Sequence, residues 1–161
     1  MPESLSEKVL AQLDGAKALY HRLILVAAPS GTGKTEALRE VAASTGARIV
    51  NLNVELSRRL IDLTERERVL RMPDLFDEVV GRDDPLVLLD NIEILFDVSF
   101  EQDPLRLLQG VARNRTIVAA WNGTLENGYL TYAAPDHPEH KRYSRDSRGG
   151  LMIVRPDVVA R

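Results

Sequence analysis

The sequence predicts an α/β fold, in which a mostly parallel sheet of about five strands is covered by helices on both faces. Short apolar runs alternate with amphipathic segments along the chain, which is the pattern of strands followed by helices. The apolar runs show little polar alternation, as is typical of strands that are buried on both faces of a parallel sheet. The first run leads directly into a glycine-rich loop and then a helical segment.

The bulk composition fits a globular domain and excludes several classes of protein. The length of 161 residues suits one domain, and we expect residues 1–161 to form a single unit. A formal net charge of -3 argues against a general nucleic-acid-binding protein. The absence of cysteine excludes disulfides and thiolate metal sites. There is no secretory signal pattern and no apolar run of the roughly 20 residues that cross a bilayer, so we expect a cytoplasmic protein without a membrane contact.

The first half of the chain predicts alternating helices and strands with recognisable start and stop signals. Ser4 and Glu7 form a capping-box pattern before apolar residues at helical spacing. Pro29 follows the first apolar strand, and Gly46 is a typical C-terminal stop for the next helix. The elements expected here are a helix within residues 1–21, a strand at 22–28, a helix at 33–44 and a strand at 47–53.

The second half continues the alternation. Leucines at 56, 60, 63 and 70 fall on one face of a helix, or of two short helices, between residues 54 and 72. A further helical turn or two is expected over residues 74–80, closed by Gly81. The remaining expected elements are strands at 85–91, 116–122, 128–134 and 151–156, a helix at 103–114, and a polar, arginine-rich loop at 136–149.

Residues 28–35, APSGTGKT, have the G-x-x-x-x-G-K-[ST] spacing of a phosphate-binding loop, with alanine at the first position. Glycines allow backbone N–H groups to turn towards phosphate oxygens, and the helix that follows adds its N-terminal partial positive charge. Lys34 is expected to contact the β- and γ-phosphates of ATP, and Thr35 to bind Mg²⁺. The loop thus indicates a three-layer P-loop NTPase domain. The predicted nucleotide-binding residues are Pro29, Ser30, Gly31, Thr32, Gly33, Lys34, Thr35 and Glu36.

The third apolar strand ends in an aspartate that fits a magnesium site. Asp90 is expected at the carboxyl end of the strand, which faces the ligand crevice of a parallel sheet, and it joins Thr35 as a predicted Mg²⁺ ligand. Many ATPases that activate water carry a glutamate directly after this aspartate, whereas this chain has Asn91. Glu93 lies on the same side as Asn91 if the strand continues. It is either the water-activating base or simply the start of the next helix, and the sequence leaves both interpretations open.

The end of the fourth strand supplies a further polar candidate. Asn122 is expected to contact the γ-phosphate and the attacking water, with Thr124 as a weaker choice. The alternative is that Asn122 and Gly123 form an ordinary turn. The predicted catalytic residues are Lys34, Asp90, Glu93 and Asn122.

Arginines cluster in two places, before the fourth strand and in the polar loop. Each one alone is readily explained as a solvated surface charge. As a group they favour a contact with a neighbouring subunit, where a guanidinium reaches its phosphate, or a salt-dependent contact with DNA. The arginines concerned are Arg113, Arg115, Arg142, Arg145 and Arg148.

Five segments spread over residues 24–140 carry a family resemblance: APSGTGKT, NLNVELSRRLIDL, VLLDNIEILF, TIVAAWNG and LTYAAPDHPEH. In these segments the chain resembles the BrxF-type small P-loop proteins of the type-3 BREX phage-defence systems of bacteria. The resemblance implies an ATPase core similar to AAA-type modules, which acts with other BREX components against phage DNA. It assigns Lys34 and Thr35 to nucleotide and magnesium, and Asp90 to magnesium. Because the sequence ends at Arg161 after a strand-like run, we expect no helical lid.

Three functions are compatible with these residues. The first is a Mg²⁺-dependent ATPase subunit of a defence complex, which hydrolyses ATP weakly alone. The second is a nucleotide-gated assembly module that does not hydrolyse ATP, and the third is a small P-loop kinase. We also expect a homo-oligomer, because a nucleotide that is bound without a lid is partly exposed until a neighbouring subunit covers it.

Overall fold

The computed structural model describes residues 4–133, 136–144 and 150–156. Helices and strands alternate through most of this part of the chain, in the order that the apolar pattern predicts. The elements are α1 (Leu5–Ala16), β1 (Leu23–Ala28), α2 (Lys34–Thr45), β2 (Arg48–Asn51), α3 (Leu52–Leu60), α4 (Glu65–Val80), β3 (Leu86–Asp90), two 3₁₀ helices (Ile92–Phe96 and Val98–Phe100), α5 (Pro104–Val111), β4 (Thr116–Glu126), β5 (Tyr129–Tyr132), β6 (Lys141–Tyr143) and β7 (Met152–Val154).

Five strands form a parallel sheet in the order β2-β3-β4-β1-β7. The strand β4 then continues beyond β1 and pairs antiparallel with β5, which in turn pairs antiparallel with β6. The predicted fold class, a mostly parallel sheet of about five strands, is therefore confirmed. The predicted strand at 128–134 is present as β5, but it lies in the antiparallel extension, so the fifth parallel strand is β7.

Helices cover both faces of the sheet, and alternate residues of the five parallel strands face two separate cores. In β1, Leu23 and Leu25 belong to the larger core, which contains buried residues of α3, α4 and α5. Ile24, on the opposite face of β1, belongs to a smaller core with buried residues of α1 and α2. Burial on both faces explains why the strands read as uninterrupted apolar runs.

The predicted second strand is too long at its carboxyl end. The strand β2 ends at Asn51, whose side-chain oxygen accepts a hydrogen bond from the N–H of Val54 at 3.3 Å. Asn51 is therefore the N-cap of α3, and the prediction that Leu52 and Asn53 belong to the strand is wrong.

The leucine-rich segment forms two helices, and the separate turn predicted for residues 74–80 is part of α4. This helix continues through Pro73, which has no N–H to donate to the carbonyl of Val69. The side-chain amide of Gln102 donates to that carbonyl instead, at 3.0 Å. The helix therefore tolerates the proline because another segment satisfies the acceptor that the proline leaves free.

Two regions at the ends of the chain differ in detail from the prediction. The helix expected within residues 1–21 spans Leu5–Ala16. Within the expected loop at 136–149, residues Lys141–Tyr143 form β6, and the hydroxyl of Tyr143 donates to Asp103 at 2.8 Å. Arg145 and Arg148 lie outside the described residues. Within the ranges that are described, no helix has the length and apolar character of a membrane span.

Gly123 lies within β4, so the interpretation of Asn122 and Gly123 as a turn is wrong. The chain reverses later, at Asn127 and Gly128, which have φ of 52° and 80° as a tight hairpin requires. At Gly123 the indole N–H of Trp121 reaches across to the carbonyl of Thr131 at 2.9 Å. A Cβ atom on Gly123 would lie 1.8 Å from the same carbonyl oxygen, so only glycine fits.

We expect Gly123→Ala to destabilise the protein by about 3 kcal/mol or more, because the methyl group forces β4 and β5 apart. Urea unfolding followed by circular dichroism measures this free energy. Gly110→Ala is the matched control, since nothing lies within 4 Å of its added Cβ in α5. The control should be neutral or stabilising by up to about 1 kcal/mol. Equal effects of the two substitutions would contradict the close approach of β4 and β5 at Gly123.

Candidate functional site

Three parallel strands end at the same edge of the sheet and bring the predicted polar residues around one cleft. The strand register pairs Ala28 at the end of β1 with Asn122 in β4, and Leu89 in β3 with Ala119 in β4. The cleft has a volume of about 360 Å³. Its lining residues are Ser30, Gly31, Gly33, Lys34, Thr35, Glu36, Arg39, Asp90, Asn91, Glu93 and Asn122.

The phosphate-binding loop connects β1 to the N-terminus of α2. Gly31 and Gly33 have φ of 80° and 89°, a backbone conformation that side chains oppose, and Gly33 is the N-cap of α2. The loop is exposed from Ser30 to Gly33. Exposed N–H groups that converge at a helix N-terminus form an anion site, which suits the phosphates of a nucleotide.

Lys34 holds the beginning of this loop in place. Its ammonium group donates to the carbonyl of Ala28 at 2.8 Å and to that of Pro29 at 2.7 Å, and the side chain is only 6% exposed. The hydroxyl of Thr32 also donates to the carbonyl of Pro29. Burial lowers the pKa of Lys34, while the carboxylates of Glu93 and Asp90 oppose this effect. The cation thus lies between the loop and two acidic side chains.

Thr35 and Asp90 bring two oxygen ligands together. The Thr35 hydroxyl donates to Asp90 Oδ2 at 2.7 Å, and the N–H of Asn91 donates to Asp90 Oδ1 at 2.9 Å. A hydroxyl and a carboxylate suit Mg²⁺, which takes few protein ligands and completes its shell with phosphate oxygens and water. Among the described residues no group of three acidic, histidine or cysteine side chains is placed to hold a metal ion. The pair therefore fits a magnesium ion that arrives with a nucleotide.

The strand β3 ends at Asp90 because Asn91 adopts a left-handed conformation, with φ of 53° and ψ of 58°. The strand therefore does not continue to Glu93, which was the condition for Glu93 to lie on the same side as Asn91. Instead, Glu93 lies in the first turn of the 3₁₀ helix Ile92–Phe96, and this turn brings its side chain into the cleft. The glutamate begins a helix and lines the site, so the two interpretations of the sequence are not exclusive.

The carboxylate of Glu93 has two different environments. Its Oε1 accepts a hydrogen bond from the side-chain amide of Asn122, and its Oε2 is buried without a hydrogen-bond partner in the described part of the chain. Behind it, Tyr132 stacks on Phe96 with ring centroids 3.6 Å apart. Burial, together with the charges of Glu93 and Glu139, raises the pKa of Tyr132 to about 12. A buried carboxylate oxygen without a donor is unusual outside functional sites.

The other polar candidates lie elsewhere. Thr124 does not line the cleft, and its hydroxyl lies 3.1 Å from that of Thr131. Asn122 is the residue of β4 that lines the cleft. Arg115 is 7% exposed and donates to the carbonyl of Val111, so it is neither a solvated surface charge nor accessible to a neighbouring subunit or DNA. The guanidinium of Arg113 lies 5.0 Å from the ring centroid of Tyr20, at the sheet edge opposite the cleft.

The structure adds two features that the sequence interpretation missed. Arg39 lines the cleft, where it pairs with Glu36 at 3.3 Å, and its i,i+4 spacing from Thr35 on a helix was the available signal. A second, mostly apolar cavity of about 290 Å³ lies beside the loop, and no local pattern reveals it because its walls come from distant segments. Its lining residues are Ala27, Ala28, Pro29, Thr124, Leu125, Glu126, Arg155 and Pro156.

Three solved structures are among those that match this chain. C. elegans PCH-2 is 18% identical with a TM-score of 0.46, and the match covers 95% of this chain and 43% of that one. A DNA replication initiation factor is 16% identical with a TM-score of 0.47, and the match covers 94% of this chain and 44% of that one. AMPPCP-bound DnaA from Aquifex aeolicus is 17% identical with a TM-score of 0.46, and the match covers 94% of this chain and 45% of that one. The chain thus spans less than half the length of these proteins.

The family assignment comes from the sequence and not from these structures. A search of curated proteins gave no significant match. The model of the family "ATPase family associated with various cellular activities (AAA)" matches residues 24–119, which is more than half of the chain and runs from β1 into β4. This range contains the phosphate-binding loop, Asp90 and Glu93. The chain therefore belongs to the AAA family of ATPases.

Proposed function

We propose that the protein binds ATP with Mg²⁺ and hydrolyses it, with Glu93 as the group that activates water. The observation that carries this proposal is the placement of Glu93 in the same cleft as Lys34, Asp90 and Asn122. Membership of the AAA family supports the nucleotide-binding part of the proposal. The roles of the individual residues are inferred from their contacts.

Binding depends on the loop and on Lys34. The N–H groups at the N-terminus of α2 receive the phosphate oxygens, and the buried ammonium of Lys34 adds a positive charge at the β- and γ-phosphates. Its two hydrogen bonds to the carbonyls of Ala28 and Pro29 hold the ammonium group against the loop before a nucleotide binds. The loop therefore loses little freedom when it closes on the phosphates.

Thr35 and Asp90 are the residues that would hold magnesium. When bound with the nucleotide, Mg²⁺ neutralises the negative charge that the β- and γ-phosphates carry. Asp90 is already fixed by the hydroxyl of Thr35 and the N–H of Asn91, so its carboxylate needs no rearrangement. This preorganisation favours a site that fills only together with the nucleotide.

Hydrolysis requires a proton acceptor for the attacking water. Glu93 is the carboxylate that would accept this proton as the water oxygen bonds to the γ-phosphorus, and its Oε2 atom has no hydrogen bond within the described chain to give up. The bond from the γ-phosphorus to the β,γ-bridging oxygen breaks in the same step. Asn122 orients the carboxylate through Oε1, while Asn91 carries no group that accepts a proton at neutral pH.

A specific observation also favours a second function, a nucleotide-gated module without hydrolysis. The amide of Asn122 holds the carboxylate of Glu93, and the position directly after Asp90 is Asn91. If this contact persists when ATP is bound, Glu93 and Asn122 form a sensor for the γ-phosphate and ATP is kept intact. Turnover measurements separate the two functions.

We further propose that the ATPase acts as a subunit of a bacterial anti-phage complex of the type-3 BREX kind, as the BrxF resemblance of the five sequence segments implies. The exposed loop from Ser30 to Gly33 supports a site that a neighbouring subunit completes. Arg142, whose guanidinium lies 3.7 Å from the ring centroid of Tyr129, is exposed and suits a contact with DNA phosphates. Arg145 and Arg148 follow it in sequence.

We expect Lys34→Ala to weaken ATP binding by about 10- to 100-fold, because it removes charge-assisted hydrogen bonds worth about 1.5–3 kcal/mol. Titration of a fluorescent ATP analogue in the presence of magnesium measures the affinity. Lys17→Ala is the control, since Lys17 is an exposed lysine that pairs with Asp14 at 3.5 Å. Unchanged affinity in a folded Lys34→Ala protein would exclude the proposed phosphate contact.

We expect Glu93→Gln to lower the rate of ATP hydrolysis by about 10²- to 10⁴-fold, as for removal of a general base, and to leave ATP affinity within a few-fold. Asn91→Gly, which removes the side chain and keeps the left-handed backbone two residues away, should retain most of the rate. Phosphate release under single-turnover conditions measures both. Similar rates for wild type and Glu93→Gln would reject Glu93 as the base. Tight binding with background turnover in the wild type, even with partner proteins and DNA, would favour the gated module.

We expect ATP to promote assembly of the protein, because a neighbouring subunit would cover the exposed side of the nucleotide on this loop. Multi-angle light scattering with and without ATP and magnesium measures the mass. ATP turnover with added duplex DNA, and with the other BREX proteins, measures activation. A monomer in both states, with turnover that no partner or DNA changes, would contradict the assembly proposal and leave the nucleotide site unaffected.

A further inference from the structure

Asn53, in the first turn of α3, contacts the turn that follows Asp90 at two points. Its backbone N–H donates to the carbonyl of Asn91 at 3.1 Å. Its side-chain Oδ1 accepts a hydrogen bond from the N–H of Ile94 at 2.9 Å. One residue therefore connects α3 to both sides of Glu93.

The second bond is made at the start of the 3₁₀ helix Ile92–Phe96, where the N-cap residue contributes no side-chain bond. The first N–H groups of a helix have no partner within the helix and are usually satisfied by the side chain of the N-cap residue. Asn91 is the N-cap of the 3₁₀ helix Ile92–Phe96, but its side chain makes no capping bond. The side chain of Asn53 satisfies Ile94 instead, from a different segment of the chain.

The helix that carries Asn53 is firmly anchored. Leu52, Leu56 and Leu60 of α3 are at most 3% exposed and belong to the larger core. Asn51 caps the same helix through its own side chain, which accepts a hydrogen bond from the N–H of Val54. The core thus fixes the position of Asn53. The two hydrogen bonds of Asn53 in turn hold the short, five-residue 3₁₀ helix against α3.

We propose that Asn53 is a positioning residue for Glu93. This inference rests on the proposed function of Glu93 as the water-activating group. Asn53 fixes the backbone on both sides of Glu93, and Asn122 holds the carboxylate from β4. Loss of the Asn53 side chain removes this acceptor from the N–H of Ile94, loosens the 3₁₀ turn and moves the carboxylate away from Asn122.

Three variants of the full chain separate positioning from general stability. Asn53→Ala removes the acceptor for Ile94, and Asn53→Asp keeps a side-chain oxygen in that place. Asn51→Ala is the matched control, because it removes an acceptor from the same helix start, and this acceptor bonds the N–H of Val54 instead of that of Ile94. Urea unfolding compares the stability of the three proteins, and circular dichroism verifies that each is folded.

The first measurement is independent of catalysis. The side-chain amide resonances of Asn122, assigned with Asn122→Asp, report the hydrogen bond to Glu93 in heteronuclear NMR spectra. We expect these resonances to shift, and exchange of the Ile94 amide to accelerate at least tenfold, in Asn53→Ala. We expect neither change in Asn51→Ala. Unchanged Asn122 resonances in Asn53→Ala, or equal changes in Asn51→Ala, would overturn the inference.

The second measurement is turnover. We expect Asn53→Ala to lower kcat about tenfold or more while its affinity for the fluorescent ATP analogue changes less than threefold. Asn53→Asp and Asn51→Ala should stay within about threefold of wild type. A loss of affinity without a loss of kcat would contradict positioning of Glu93. If wild type does not hydrolyse ATP, the proposed function fails, and the Asn122 resonances still decide whether Asn53 positions Glu93.

Discussion

Parallel pairing of β3, β4 and β1 is the constraint on which the cleft depends. It directs the carboxyl ends of the three strands to one edge, where the phosphate-binding loop, Asp90 and Asn122 lie next to one another. Burial of both sheet faces makes this pairing favourable, since each strand contributes apolar side chains to two cores. The polar residues can cluster because the rest of each strand is packed on both sides.

The sequence was sufficient for those parts of the fold that depend on local pattern. The strand–loop–helix unit, the alternation of apolar runs and Asp90 at a strand end all follow from short segments. The placement of Glu93 did not follow, because it depends on the left-handed backbone of Asn91 and on a 3₁₀ turn that the residue pattern does not specify. The continuation of β4 through Gly123 was equally hidden, since Asn-Gly is locally typical of a turn and only the carbonyl of Thr131 in another strand explains the glycine.

Side chains of opposite charge from distant segments of the chain meet in the cleft. Lys34 is buried beside two carboxylates, and this arrangement compensates part of the cost of removing each charge from water. Glu93 has one oxygen bonded to Asn122 and one buried without a donor in the described chain, which is unfavourable for stability alone. An uncompensated acceptor next to a phosphate-binding loop is the kind of local conflict that functional sites retain.

Glu93 is held from three directions, and each support depends on a different part of the fold. Asp90 fixes the start of the turn through the N–H of Asn91, and Asn53 fixes its middle from the anchored helix α3. Asn122 reaches the carboxylate from β4, whose path just beyond that point is set by Gly123 and the bond from Trp121 to Thr131. A displacement of α3 or of the β4–β5 ladder therefore moves the carboxylate relative to the loop. Under the proposed function, such a displacement changes water activation while the phosphate-binding loop stays in place, because α3 and β5 lie outside the loop and α2.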